Sequence, residues 1–548
     1  MKMSKRVSRF SSVILVVFIC LFMLAGCGGQ KAEPSTSSTA ATTAAPTETQ
    51  QPAEPVTVDW LAYNTYAQPD PESEIIQRAS KDYNINFKFW FVDDQKWDEV
   101  LGVKLASGEM PDVMKIKDSG TIPKYVSMGV VAPITDDMLK KIPAVTNAIE
   151  QMGGKDMTID GYVNGKLYLL KTANLSASYP TVLVWRTDWL KNVGISKMPE
   201  TIPEMEDALT RFRNNDPDKN GVKDTFGMSN TVISAIFGAY GAIPLKEFRG
   251  SGTQNLFWTK KDGKYVFAVI QPEMKEALAL LAKWYKDGLI DPEFVTGENT
   301  GGYWAQSQAF ENSKIGVTGM VQAAHYSPPL FEGHAGGGCY QTYIKANPDA
   351  KFGETFDIGK PPTGPAGKSG THCWGGIGIG GAAFTTKFVK DQRKVDAVLN
   401  MINDITSNYD KYRYYRSGEE GKHYTVDPKS GAIIAAKEYT QIADLTKAGL
   451  GVLNVMFSIP DFDKKAGSTL GTQFAEKYKY TYYTDVLVPA TDAATKYSAD
   501  LKKLALDAYV QIISGAKPVD YFDEFVNTFN EKGGAEIVKQ VNEAVAAQ

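Results

Sequence analysis

From Val56 the chain alternates short apolar runs with stretches in which apolar residues recur every three or four positions, the pattern of strands interleaved with amphipathic helices. Val56 to Tyr63 reads as a strand, Glu72 to Asn84 as a helix and Asn86 to Val92 as a second strand. Trp97 to Ala106 reads as a helix closed by Gly108, and Met110 to Met114 starts a third strand. A β-α-β-α-β order predicts a parallel sheet whose ligands meet the loops at the strands' carboxyl ends. Those loops carry Asn64, Tyr66, Asp93, Asp94 and Asp118.

A second α/β block begins near Thr181 with the strand-like Thr181 to Trp185, followed by a Pro-rich helix start at Met198 to Pro203. Pro272 to Asp287 places Met274, Ala277, Leu278, Leu281 and Trp284 on one helical stripe, so Trp284, like Trp60, is expected in the core. Lys314 to Gly319 reads as a buried strand, then a Gly- and Pro-rich region runs to about Gly381. Gln392 to Ser407 and Ala493 to Ser514 read as helices, and no internal repeat is evident. The fold class expected is α/β.

The N-terminus carries an address. Lys2, Lys5, Arg6 and Arg9 precede the apolar run Val13 to Leu24, which ends in Leu24-Ala25-Gly26-Cys27. This is the order of a secretory signal, residues 1–26, and the run is shorter than the roughly 20 residues a membrane span needs. Small residues directly before Cys27 resemble the bacterial lipobox, in which a lipid is attached to that thiol and cleavage leaves it first. Residues 28–55 are almost wholly Ser, Thr, Ala, Pro, Gln and Glu, a composition that cannot offset the entropy of ordering. Residues 27–55 therefore form a lipid-bearing tether with a reach of roughly 30 Å.

Composition narrows the field less. The 548 residues are too long for one compact unit, and 59 Lys and Arg against 63 Asp and Glu give a net charge of -4. Cleavage would leave 55 cations against 63 anions, a net charge of -8. Neither value is a footprint for nucleic acid. Four cysteines are no disulfide scaffold.

Several segments, in order along the chain, resemble the bacterial extracellular solute-binding proteins of carbohydrate ABC transporters, in the broad family 1 group. They are Gly161-Tyr162-Val163-Asn164-Gly165-Lys166-Leu167-Tyr168, Val184-Trp185-Arg186-Thr187-Asp188-Trp189-Leu190 with Met198-Pro199-Glu200-Thr201, Trp284 to Phe294, and Gly418 to Tyr424. The resemblance implies a periplasmic-binding-protein-like (type II) fold: two discontinuous α/β lobes joined by hinge strands, closing over a sugar in the cleft. The lobes are expected at 56–178 with 355–410, and at 179–354 with 411–548. It further implies a lipid-anchored monomer on the extracytoplasmic face of the cell membrane that captures an oligosaccharide and delivers it to permease subunits, with no catalytic residues.

Asp216-Pro217-Asp218-Lys219-Asn220-Gly221-Val222-Lys223-Asp224 sets side-chain oxygens at Asp216, Asp218, Asn220 and Asp224, the Val222 carbonyl between them, and a turn-permitting Gly221. That is the donor phase of a calcium loop, with Gly227 where an EF-hand has its bidentate Glu. The expectation is a structural Ca2+ site; the bland alternative is an ordinary Asp-Pro and Asn-Gly turn. Sugar sites need flat aromatic faces and planar polar groups. Tyr66, Trp304, Tyr326 and Trp374 supply candidate faces; Asn64, Asp94, Asp118, Asn174, His325 and Tyr415 supply candidate hydrogen bonds.

Other signals fall short. Gly364-Pro365-Ala366-Gly367-Lys368-Ser369 has its first glycine too close for a phosphate loop. Gly375 to Gly381 reads as a strand approached closely by another backbone or a ligand. His334, Cys339, His372 and Cys373 match no common zinc spacing. A Cys339 to Cys373 disulfide and two free buried thiols both remain open. A surface-anchored carbohydrate-active enzyme would need two carboxylates paired across the scissile bond, for which no motif is present. A peptide or other solute is the remaining alternative ligand.

Overall fold

The computed structural model describes residues 54–93, 96–245, 256–295, 308–332, 334–453 and 457–547, with side chains at 172–178 and 374–379 left aside. Within 54–548, a compact unit, strands β1 (Val56–Leu61), β2 (Ile85–Phe89) and β3 (Val113–Ile116) alternate with helices α1 (Glu74–Tyr83) and α2 (Trp97–Ala106). β1 runs parallel to both β2 and β3, as the alternating pattern predicts. β1 alternates because Val56, Val58 and Trp60 turn to one buried face. α1 stops where Asn84 takes the left-handed conformation, which a short polar side chain tolerates.

The long strand β4 (Leu170–Arg186) then leads to helix α3 (Ile202–Asn214), opened by a capping box in which Thr201 and Glu204 satisfy each other's backbone amides. Strand β5 (Phe226–Met228), helix α4 (Pro272–Lys286), strand β6 (Ile315–Gln322), helix α5 (Gly338–Ala346), strand β7 (Phe356–Gly359) and strand β8 (Thr371–Phe384) follow. Thus the Gly-rich stretch up to 381 holds a helix and two strands. Helices α6 (Gln392–Ser407), α7 (Tyr409–Ser417) and α8 (Asp492–Ile513), with a short strand β9 (Tyr482–Tyr483) before α8, complete the elements used below.

The nine-stranded sheet has the order β2-β1-β3-β8-β4-β6-β5, with β7 also on β4 and β9 on β8. β4 and β8 join its two halves. Residues 170–180 of β4 pair with β8, and residues 181–186 pair with β6 and β7. Two pairs of apolar cores flank the halves. The first half is faced by a cluster around Trp60, Phe87, Leu399 and Tyr412 and, on its reverse, by one around Trp97, Met114 and Leu169. The second is faced by a cluster around Trp185, Phe212, Trp284 and Tyr509, and on its reverse by one around Val184, Tyr326, Tyr343 and Phe356. Trp60 and Trp284 lie in these cores, as their stripes imply.

These clusters move both expected lobe boundaries after 354. Phe356 and Ile358 pack in the second lobe, so the chain returns to the first along β8 rather than at 355. Tyr412, Tyr415, Leu450, Leu453 and Ile459 pack in the first lobe's core, so the next passage lies between Phe462 and Phe474 rather than at 411. The reason is burial: α7 is amphipathic against α1 and α6, and its tyrosines leave water only there.

Candidate functional site

The sheet registers decide where a ligand would sit. β8 pairs antiparallel to β3 with Gly381 opposite Ile116, so the carboxyl end of β3, and those of its parallel neighbours β1 and β2, point toward the middle of β8. In the other lobe β6 is antiparallel to β4, with Gln322 opposite Thr181, so the carboxyl ends of β6 and its parallel neighbour β5 point toward the middle of β4. Strand ends of both lobes therefore converge on the two crossing strands. Loops at such ends are where open α/β sheets bind ligands.

Asn64 follows β1, and its Oδ1 accepts a hydrogen bond from Lys115 Nζ at 2.6 Å. Tyr66, on the same loop, is 56% exposed. Asp118 follows β3, accepts the Gly120 N–H at 2.8 Å and faces the ammonium of Lys171. Asn174 and Trp374 lie on β4 and β8, where Asn174 pairs with Gly376 and Trp374 with Tyr179. His325 sits in the turn after β6. Asp94, Trp304 and Cys27 lie outside the described residues.

Two of the expected ligand contacts are core residues instead. Tyr326 is 1% exposed, packed edge-on against Phe356 in the second lobe. Tyr415 is 1% exposed beside Tyr83 and Tyr414, its hydroxyl donating to Asp82. Neither presents a face to a sugar, because each ring is already covered by aromatic neighbours distant in sequence. Cys339 and Cys373 are buried thiols with no disulfide between them.

The topology also brings to the site polar residues that are not among the sequence candidates. Ser229, Asn230 and Thr231 follow β5 and are all buried; Ser229 Oγ donates to Asn230 Oδ1 at 3.2 Å, and the Thr231 and Thr318 hydroxyls are 3.1 Å apart. The signal available was the polar run directly after Phe226-Gly227-Met228. At the root of β4, Lys171 donates to Asp160 at 2.7 Å with both side chains out of water.

Burial sets two protonation states in the second lobe, one before β6 and one after it. His325 is pushed down to about 4 and Glu311 up to about 7, each by burial. Below pH 6.5 the unfolded chain protonates His325 and the fold does not, so this group's contribution to stability is lost as pH falls toward 4. Glu311 keeps a proton that the unfolded chain releases above 4.5, so its contribution is lost as pH rises toward 7. The trends oppose. His325→Gln is expected to leave a melting temperature that declines from about pH 4.5 to 7, and Glu311→Gln one that rises from about pH 4 to 6.5; identical pH profiles for wild type and both variants would exclude this.

In the loop 216–224, Asp216 accepts the Asn220 and Gly221 amides, and Asn220 Nδ2 donates to Asp218 at 2.9 Å and reaches Asp224 at 3.4 Å. The Val222 amide donates to Asn220 Oδ1 at 2.6 Å. Asn192 Nδ2 ties the loop down through the Pro217 carbonyl. Burial raises the Asp218 carboxyl, helped by a hydrogen bond to Asp216 and the charge of Asp224, and its Oδ1 is buried without a hydrogen-bond partner. Acidic oxygens so placed suit a cation, and an amide donor sits among them. Among the described residues no three His, Cys, Asp or Glu side chains gather as a metal cluster. A Cβ at Gly227 would lie 2.7 Å from Leu209, so that position has no room for a ligating side chain.

Residues 74–380 match the family described as bacterial extracellular solute-binding protein. The chain belongs to this family. The polygalacturonan/rhamnogalacturonan-binding protein YtcQ of Bacillus subtilis (strain 168) is 25% identical, over 97% of this chain and 98% of its own. Lipoprotein LipO of the same organism is 25% identical over 86% and 89%. Among solved structures, the EF-hand mutant of FusA, an ABC-transporter substrate binding protein of Streptococcus pneumoniae in complex with fructo-nystose, matches with a TM-score of 0.61 at 16% identity, covering 90% of this chain and 100% of that one. This likeness is one of fold, and it accords with the two α/β lobes of the solute-binding architecture. No helix among the described residues is long and apolar enough to cross a membrane.

Proposed function

We propose that this solute-binding protein captures an oligosaccharide between its lobes and delivers it to an ABC permease, while a lipid on Cys27 holds it at the extracytoplasmic face of the membrane. The observation that carries the reading is the convergence of strand ends from both lobes on β4 and β8. The names of YtcQ and FusA support a carbohydrate and an ABC partner, and the name of LipO supports the lipid. Asn64, Tyr66, Asp118, Asn174, His325 and Trp374 are its proposed contacts, with Asp94 and Trp304 retained from the sequence. The lobes close because the ligand binds the closed form better than the open one.

Asp216, Asp218, Asn220, Asp224 and the Val222 carbonyl would hold a structural Ca2+ in the same reading, which the EF-hand of FusA supports. The ion would neutralise the crowded carboxylates at the end of α3. A thermal-shift series tests both parts. Oligogalacturonides and fructo-oligosaccharides at 100 times the dissociation constant are expected to stabilise the fold by about 2.7 kcal/mol, and a chelator is expected to lower the melting temperature. Product release from the sugar, or no shift with any oligosaccharide, would overturn the receptor reading. An unchanged melting temperature with chelator would remove the ion.

A further inference from the structure

Three aromatic side chains among the described residues are exposed: Tyr66, Phe91 and Phe331, at 56, 40 and 39%. All other described aromatic rings are buried or half-buried. The three are not scattered. Tyr66 follows β1, Phe91 follows β2, and Phe331 lies on the segment that follows β6, so each stands on a loop at a strand end directed toward the crossing strands.

The Phe331 loop is built to hold its ring still. Its neck is closed by the Gly337 amide donating to the Ser327 carbonyl at 2.9 Å, and a Cβ at Gly337 would lie 2.3 Å from the carbonyl oxygens of Ala324 and His325. Phe331 stacks on His334 with ring centroids 5.0 Å apart and planes within 11°. His334 Nδ1 accepts the Leu330 amide at 3.0 Å, fixing the lower ring. The base of this loop meets the segment where the chain passes between lobes: Ala324 lies against Gly471, two residues after Thr469 bridges Ile433. Phe91 is placed by Trp90, whose amide donates to the Trp60 carbonyl and whose ring is covered by Lys104.

We infer that Tyr66 and Phe91 on one lobe and Phe331 on the other are three stacking platforms for successive sugar rings, so that the protein selects an oligosaccharide of at least three residues rather than a monosaccharide. The inference rests on the carbohydrate reading above and deepens it. A pyranose presents an apolar face that leaves water against an aromatic ring, and a ring already held rigid loses little freedom on binding. Platforms on opposite lobes couple chain length to closure, since only a long ligand engages both.

Calorimetric titration of the full chain with oligogalacturonides of one to six residues tests this. Wild-type affinity is expected to rise with length up to the trisaccharide or beyond. Phe91→Ala and Phe331→Ala are each expected to weaken binding of the trisaccharide and longer chains by roughly tenfold. Replacement by Tyr should restore most of that loss, and melting temperatures should stay near wild type because both rings are exposed. Wild-type affinity independent of length, or Ala variants that bind the longer chains as tightly as wild type, would overturn the platforms while leaving the receptor reading standing. The same titration is run with fructo-oligosaccharides of increasing length, and wild-type binding to no member of either series would overturn the sugar reading and this inference with it.

Discussion

Alanine at Gly381 is expected to destabilise the fold by at least about 4 kcal/mol, the range reserved for a steric conflict that cannot relax. Gly381 sits on β8 between β3 and β4, and a Cβ there would lie 2.1 Å from the Leu170 carbonyl oxygen and 2.9 Å from Leu169 Cδ1. The first obstacle is backbone, fixed by its own sheet, so neither side can yield without separating the crossing strands. Its neighbour Gly380 is held as tightly, its Cβ position lying 2.4 Å from the Ile116 carbonyl oxygen. Gly102 is the control: it lies inside α2 with no atom within 4 Å of an added Cβ, and Gly102→Ala should raise stability by roughly 0.5–1 kcal/mol. Urea midpoints would measure both. A Gly381→Ala midpoint equal to wild type would mean that β8 and β4 are not packed as closely as their register requires.

Lys171→Ala should cost about 3–5 kcal/mol, because it strands a buried carboxylate. Lys171 and Asp160 are 2.7 Å apart with side chains 0% and 6% exposed. Burial raises the Asp160 carboxyl and lowers the Lys171 ammonium, in each case against the pull of the partner's charge. Desolvation thus outweighs attraction for both groups, and the pair matters chiefly because either half alone is worse. The double replacement Lys171→Met with Asp160→Leu is therefore expected to recover most of the loss. If the double variant unfolds at the same urea concentration as Lys171→Ala, the cost belongs to packing at the root of β4 and not to the stranded charge.

The parts legible in the sequence are those whose cause is local. The strand-helix order from Val56 to Ile116 follows from apolar spacing within each segment, and its parallel pairing follows from that order. The stripe of α4 and the oxygen phase of residues 216–224 are likewise written within a few turns of chain. Gly375 to Gly381 reads as a strand needing close backbone approach, and Gly380 and Gly381 meet carbonyl oxygens of β3 and β4. The candidate site was legible only in part. In the sequence Tyr66 and Tyr326 are alike as aromatic residues in loops, yet one is exposed and the other is sealed by Phe356, thirty positions away.

By itself, then, the sequence determined the α/β class and the solute-binding resemblance, and it carries the residues on which the proposed lipid anchor at Cys27 and the proposed ion loop at 216–224 rest. Only the tertiary structure decided which of the described aromatic rings remain in water, that Cys339 and Cys373 form no disulfide, and that Tyr412, Tyr415, Leu450, Leu453 and Ile459 pack in the first lobe's core. The physical reason is one of range. Periodicity, capping and turn chemistry act between residues a few positions apart, whereas burial depends on segments that meet from hundreds of residues away, and a ligand cleft is what that burial leaves uncovered.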